Sequence, residues 1–125
     1  MSKQALILFA HGARDPQWAE PFHRLQVMIL GSRHDVQVEL AFLELMSPTL
    51  GDAVKTILAQ GRNEITIVPI FLGQGGHVQR DLPKLIEQLR LAHPEANFKK
   101  ASAVGEIDSI LDAMRAYCVG LLESE

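Results

Sequence analysis

The chain has 125 residues, 47% of them hydrophobic and 22% charged, with a formal net charge of −3. That length predicts one domain over 1–125, and the acidic balance gives no support to nucleic-acid binding. Its single cysteine, Cys118, excludes an internal disulfide and a cysteine-based zinc site; no apolar run approaches the ~20 residues of a membrane span, so the sequence reads as cytoplasmic.

Ala5–Ala10 is a continuous apolar run that stops at His11-Gly12, the pattern of a strand buried on both faces. Trp18, Phe22, Leu25 and Ile29 then recur at helical spacing. Pro16 and Pro21 fit a first turn, and Gly31 is the expected stop. Val36–Leu43 predicts a second strand. Ser47-Pro48 predicts the next helix start, with serine as the cap and proline at the first helical position. Leu50, Val54, Ile57 and Leu58 form its buried stripe, and Gly61 ends it.

The β-branched run Glu64–Phe71 predicts the third strand, followed by a loop carrying Gly73, Gly75 and Gly76. A third helix is expected from about Asp81 to Ala92, with Leu82, Leu85, Ile86 and Leu89 inward. Asn97–Ala103 predicts a fourth strand. Ile107, Ile110, Leu111, Met114, Cys118 and Leu121 stripe a final helix. The order βαβαβαβα predicts an α/β fold, with a four-stranded parallel sheet and helices on its faces.

Ligands of such sheets bind beyond the carboxyl ends of the strands. His11 follows the first strand, Glu44 the second, and His77 stands just past the glycines after the third, at equal spacings of 33 residues. One βα unit between each brings all three to a shared edge. Two imidazoles and a carboxylate suit a first-row divalent metal, and three protein ligands leave positions for a substrate. Each residue also has a structural reading. His11 could close a turn, Glu44 could face a helix dipole, and His77 could cap a helix. His23, His34 and His93 read as surface or helix-end residues. Arg14, Arg80 and Lys84 lie near the same edge and could receive ligand carboxylates.

Three ordered segments carry a resemblance. Phe9-Ala-His-Gly-Ala-Arg-Asp-Pro16 resembles the first signature of the sirohydrochlorin chelatases of the CbiX type. Phe42-Leu-Glu44 with Ser47-Pro48 resembles the second, and Pro69–Val78 with Asp81-Leu-Pro83 the third. The resemblance implies a chelatase-like three-layer sandwich. It implies ATP-independent insertion of a divalent metal into sirohydrochlorin, with no cofactor beyond the substrate metal (Co2+, Fe2+ or Ni2+). It also implies metal contacts at His11, Glu44 and His77. Ala13 stands where the family often has serine. Larger relatives fuse two such units, so a single one implies a homodimer.

On this reading His11 and His77 hold the metal and take pyrrole protons, Glu44 is a further ligand or proton acceptor, and Arg14 and Arg80 meet substrate carboxylates. Gly73, Gly75 and Gly76 would let backbone approach the flat macrocycle. Trp18 and Phe71 read as core rather than ring contacts. The rival readings are a non-catalytic metal or tetrapyrrole carrier, a histidine phosphatase and a flavodoxin-like regulator. Ala10 stands where a phosphatase would carry arginine, and no acidic cluster or phosphate loop supports the last.

Overall fold

The computed structural model describes residues 2–123. Strands β1 (Gln4–Ala10), β2 (Gln37–Phe42), β3 (Glu64–Pro69) and β4 (Asn97–Lys100) form one parallel sheet in the order β2-β1-β3-β4. Helices α1 (Glu20–Ser32), α2 (Leu50–Ala59), α3 (Gly76–Ala92) and α4 (Asp108–Glu123) alternate with them. The α/β parallel architecture follows the sequence pattern.

Alternation along the strands divides the core in two. Ala5, Ile7 and Phe9 of β1 and Ile65 and Ile67 of β3 face α2 and α3, in a core completed by Leu50, Val54, Ile57, Leu82 and Ile86. Leu8 and Ala10 face the other way, with Val38, Leu40 and Phe42, toward half-buried Phe22, Leu25 and Ile29 of α1. Right-handed crossovers impose this division. The step from β1 to β2 runs opposite to the later steps, so α1 alone lands on the second face. At the strand starts, the Arg62 Nη1 donates to the carbonyls of Ser2, Gln4 and Asp35. There the hydrogen bond from Arg33 draws the exposed Asp35 carboxyl down to a pKa of about 2.

Several boundaries differ from the sequence reading. Trp18 lies in a 3-10 turn, Pro16–Ala19, that precedes α1. Gly31 does not stop α1; the helix runs to Ser32, and the Arg33 N–H still reaches the Ile29 carbonyl at 2.9 Å. The Gly31 backbone stays out of the left-handed region that makes glycine a terminator. Ser47 is not the cap of α2. Thr49 is, its hydroxyl accepting from the Asp52 N–H at 3.2 Å. Thr49→Ala is expected to lower stability by about 1 kcal/mol, read from the urea midpoint, whereas Ser47→Ala leaves it unchanged.

α3 begins at Gly76, five residues before the predicted start, and carries Pro83 inside it. The ring removes one backbone donor, yet Val78, Leu82 and Ile86 bury a continuous stripe that holds the helix together. β3 and β4 end earlier than expected, at Pro69 and Lys100. The largest departure is α4. Its apolar stripe exists, but no residue of it is buried: Leu111, Met114 and Leu121 stand 43%, 42% and 58% exposed.

Candidate metal and tetrapyrrole site

Strand order reverses at β1, because β2 pairs on one side of it and β3 on the other. Connections leaving β1 and β3, which lie side by side, therefore part to opposite faces, α1 on one and α3 on the other, and such a point is where α/β sheets take ligands beyond the strand carboxyl ends. His11 leaves β1 at that point, and the segment after β3 leads into α3 beside it.

The parallel ladder of β1 and β2 continues past the strands. Leu43 N–H donates to the Ala10 carbonyl at 2.9 Å, and Glu44 N–H to the His11 carbonyl at 3.1 Å. These bonds set the two side chains next to one another, and His11 Nε2 donates to Glu44 Oε1 at 2.9 Å. Both side chains are about half exposed, at 50% and 55%. Gly12 makes the approach possible. Its φ is +99°, and a Cβ there would fall 1.9 Å from the Glu44 carbonyl oxygen. Leu45, directly after Glu44, holds the left-handed region at φ 66°, uncommon for leucine, and leaves its side chain exposed at the rim.

The 2.9 Å gap suits a cation in place of the shared proton. An ion about 2.1 Å from both Nε2 and Oε1 would see them at roughly 90°, an octahedral pair of adjacent ligands.

His77 stands apart from that pair. It occupies the first turn of α3 rather than a loop, 74% exposed, with Nδ1 3.1 Å from Asp81 Oδ2 one turn on. The contact with Asp81 engages Nδ1 and leaves Nε2 available as the other ring nitrogen. Among the described residues no three histidine, cysteine, aspartate or glutamate side chains form a group able to hold a metal. The structure thus joins two of the three expected ligands and puts the third on the neighbouring element.

Arg14 lies in the segment after His11 and Arg80 one turn after His77, both exposed and, among the described residues, without a hydrogen bond or ion pair. Gly75 is the N-cap of α3 and Gly76 its first residue. At Gly73, Gly75 and Gly76 an added Cβ would meet nothing within 4 Å, and none has a positive φ. The fold itself does not require glycine there. Phe71 packs on Phe9 with ring centroids 6.1 Å apart in the core, as expected, whereas Trp18, expected in the core, packs on Phe22 at 4.9 Å at the surface and is 36% exposed.

Sequence reasoning missed two exposed leucines beside these strand ends. Leu45 and Leu72 are 56% and 61% exposed, one after Glu44 and one before the glycines. Their signal was leucine just beyond a strand end, where polar residues are the norm. It also missed Gly105, whose N–H donates to the Phe71 carbonyl at 3.0 Å and whose absent Cβ would lie 1.8 Å from the Leu72 carbonyl oxygen. Gln74 Nε2 adds a bond to Glu106 at 3.2 Å. The turn after β4 thereby braces the segment leading to His77. Gly105→Ala is expected to displace that segment, lowering stability by about 2 kcal/mol; an unchanged thermal midpoint would show that the turn yields freely.

The model of the CbiX family matches residues 5–118. A sirohydrochlorin cobaltochelatase of Saccharolobus islandicus is 36% identical over 81 residues, 65% of this chain and 62% of that protein. One from Methanopyrus kandleri is 34% identical over 82 residues, 66% of this chain and 57% of that protein. The match therefore spans under two thirds of the length of these relatives. Among solved structures, a CbiX protein of cobalamin (vitamin B12) biosynthesis from Marinobacter aquaeolei VT8 superposes with a TM-score of 0.83 at 31% identity, over 98% of this chain and 99% of that one. The sirohydrochlorin chelatase SirB of Bacillus subtilis subspecies spizizenii, in complex with cobalt, gives 0.70 at 26% identity, over 90% of this chain and 48% of that one.

Proposed function

The chain belongs to the CbiX family, and from that premise we propose that it inserts Co2+ into sirohydrochlorin, without ATP and with no cofactor beyond the substrate metal. Fe2+ and Ni2+ suit the same donors. Cobalt is the reading favoured by the names of the relatives, and it gives the product a place in cobalamin biosynthesis rather than sirohaem. The single observation that carries the proposal is the 2.9 Å His11–Glu44 pair, exposed beyond the strand ends at the switch point.

Insertion asks for three things from the protein. The macrocycle must be held flat, the metal must exchange water for pyrrole nitrogen, and two ring N–H protons must leave. Leu45 and Leu72 offer apolar contact for a ring face, and the open backbone at Gly73, Gly75 and Gly76 leaves room for it. Arg14 and Arg80 would meet the carboxylates at the ring edge. His11 and Glu44 present the metal on adjacent coordination sites and leave others to water and the incoming nitrogens. His77, oriented through Asp81, supplies a third ligand from α3 or takes a pyrrole proton.

The family contains two-lobed members, and we read the active form of this single unit as a homodimer. No helix among the described residues is long and apolar enough to cross a membrane; a reaction on a soluble acidic macrocycle suits the cytoplasm.

Purified chain mixed with sirohydrochlorin and Co2+ should complete many insertions per chain, followed by the change in macrocycle absorbance. Stoichiometric uptake of metal or ring with no gain over the uncatalysed rate would replace the enzyme by a carrier.

A further inference from the structure

Beside the metal pair, a leucine holds a backbone conformation that glycine would hold at less cost. Among the described residues Leu45, at φ 66°, is the only non-glycine in the left-handed region. Its Cβ crowds the following carbonyl there, a penalty glycine escapes. The chain on either side is pinned. Leu43 and Glu44 N–H reach the Ala10 and His11 carbonyls, and Phe42 N–H reaches the Pro48 carbonyl at 2.9 Å, so the segment between Phe42 and Pro48 turns back on itself. That reversal accounts for a left-handed residue and does not account for leucine.

Packing does not account for it either. Leu43 and Met46 pack against the two cores, one on each, while Leu45 between them belongs to neither and is 56% exposed. Among the described residues it makes no hydrogen bond. An exposed leucine alone is ordinary; one kept where the backbone suits glycine marks a side chain with a role outside the fold. Gly12 gives the contrast. It too is left-handed at this edge, and it must be glycine, since a Cβ would fall 1.9 Å from the Glu44 carbonyl oxygen.

We propose that Leu45 is a specificity-determining contact for the macrocycle, giving the site affinity for a flat, apolar-faced ring independently of the metal. The inference rests on the chelatase reading above. Arginines alone accept any polyanion that spans them, and metal donors alone accept any ligand that shares the ion. An aliphatic side chain one residue from Glu44 adds what neither supplies, contact with the face of a ring. Its contribution is the removal of leucine and ring surface from water, which needs no metal.

The test measures two affinities of the full chain separately: for metal-free sirohydrochlorin, by absorbance, and for Co2+ alone, by calorimetry. Leu45→Ala should weaken ring binding about 10-fold and leave Co2+ affinity within about twofold of wild type. Leu45→Met, which keeps the bulk, should restore ring binding to within about twofold. Leu45→Gly should bind the ring as poorly as Leu45→Ala yet unfold at a higher urea concentration, because glycine relieves the left-handed backbone. Leu91→Ala removes a still more exposed leucine from the far end of α3 and should change neither affinity. Equal losses of ring and Co2+ affinity in Leu45→Ala would reduce Leu45 to a prop for Glu44, and wild-type ring affinity would remove it from the site. A urea midpoint for Leu45→Gly below that of Leu45→Ala would deny the left-handed seat. Each of these overturns the inference and leaves the chelatase reading standing. A wild-type chain that binds neither ring nor Co2+ removes both.

Discussion

His11→Ala is expected to slow cobalt insertion about 100-fold or more without disturbing the fold. The side chain is half exposed, lies outside both core clusters and, among the described residues, bonds only to Glu44. Its loss should therefore change the urea midpoint by no more than about 0.5 kcal/mol. The rate depends on it more heavily, because it is half of the preformed His11–Glu44 donor pair at the switch-point edge. Glu44→Ala should fall similarly, and the double variant should be little slower than either single one, since residues that act as a unit lose their contribution once. His77→Ala is a separate test. An effect that multiplies with that of His11→Ala would mark His77 as a separate proton acceptor, and one that does not would mark it as a third ligand of the same metal. A folded His11→Ala protein working at the wild-type rate would remove the pair from the reaction.

The pairing of His11 with Glu44 was legible in the sequence because two short-range signals converge on it. A doubly buried strand reads as an apolar run, and its end marks where the chain turns toward ligand. Parallel register then does the rest: Ala10 pairs with Phe42, and the ladder runs on into His11 and Glu44. His77 was harder. A run of glycines reads as loop, and Pro83 invites a helix start just before it, yet the buried stripe of α3 extends the helix back to Gly76. The Thr49 cap was missed for a related reason: Ser47-Pro48 matches the local preference equally well, and only tertiary packing chooses between them. α4 shows the limit of periodicity. The pattern states that one side of a helix seeks burial and is silent on which chain provides it.

Glycines divide in the same way, and the division leads to the second large effect. Gly12→Ala is expected to cost roughly 3–5 kcal/mol, from a left-handed backbone that alanine adopts reluctantly and from overpacking against the Glu44 carbonyl. A Cβ 1.9 Å from that oxygen cannot be relieved by a rotamer change, because both parties are backbone. Relief requires the segment after β1 to part from the segment after β2, which breaks the Glu44 N–H to His11 bond and opens the metal pair. Loss of activity should therefore accompany loss of stability in whatever fraction folds. Gly73→Ala makes the opposite case. Its Cβ would enter open space, so the urea midpoint should stay within about 0.5 kcal/mol of wild type, while the KM for sirohydrochlorin rises if the ring lies against that backbone. Equal midpoints for Gly12→Ala and wild type would show that the two segments are not packed as described. An unchanged KM in Gly73→Ala would move the macrocycle to another part of the rim.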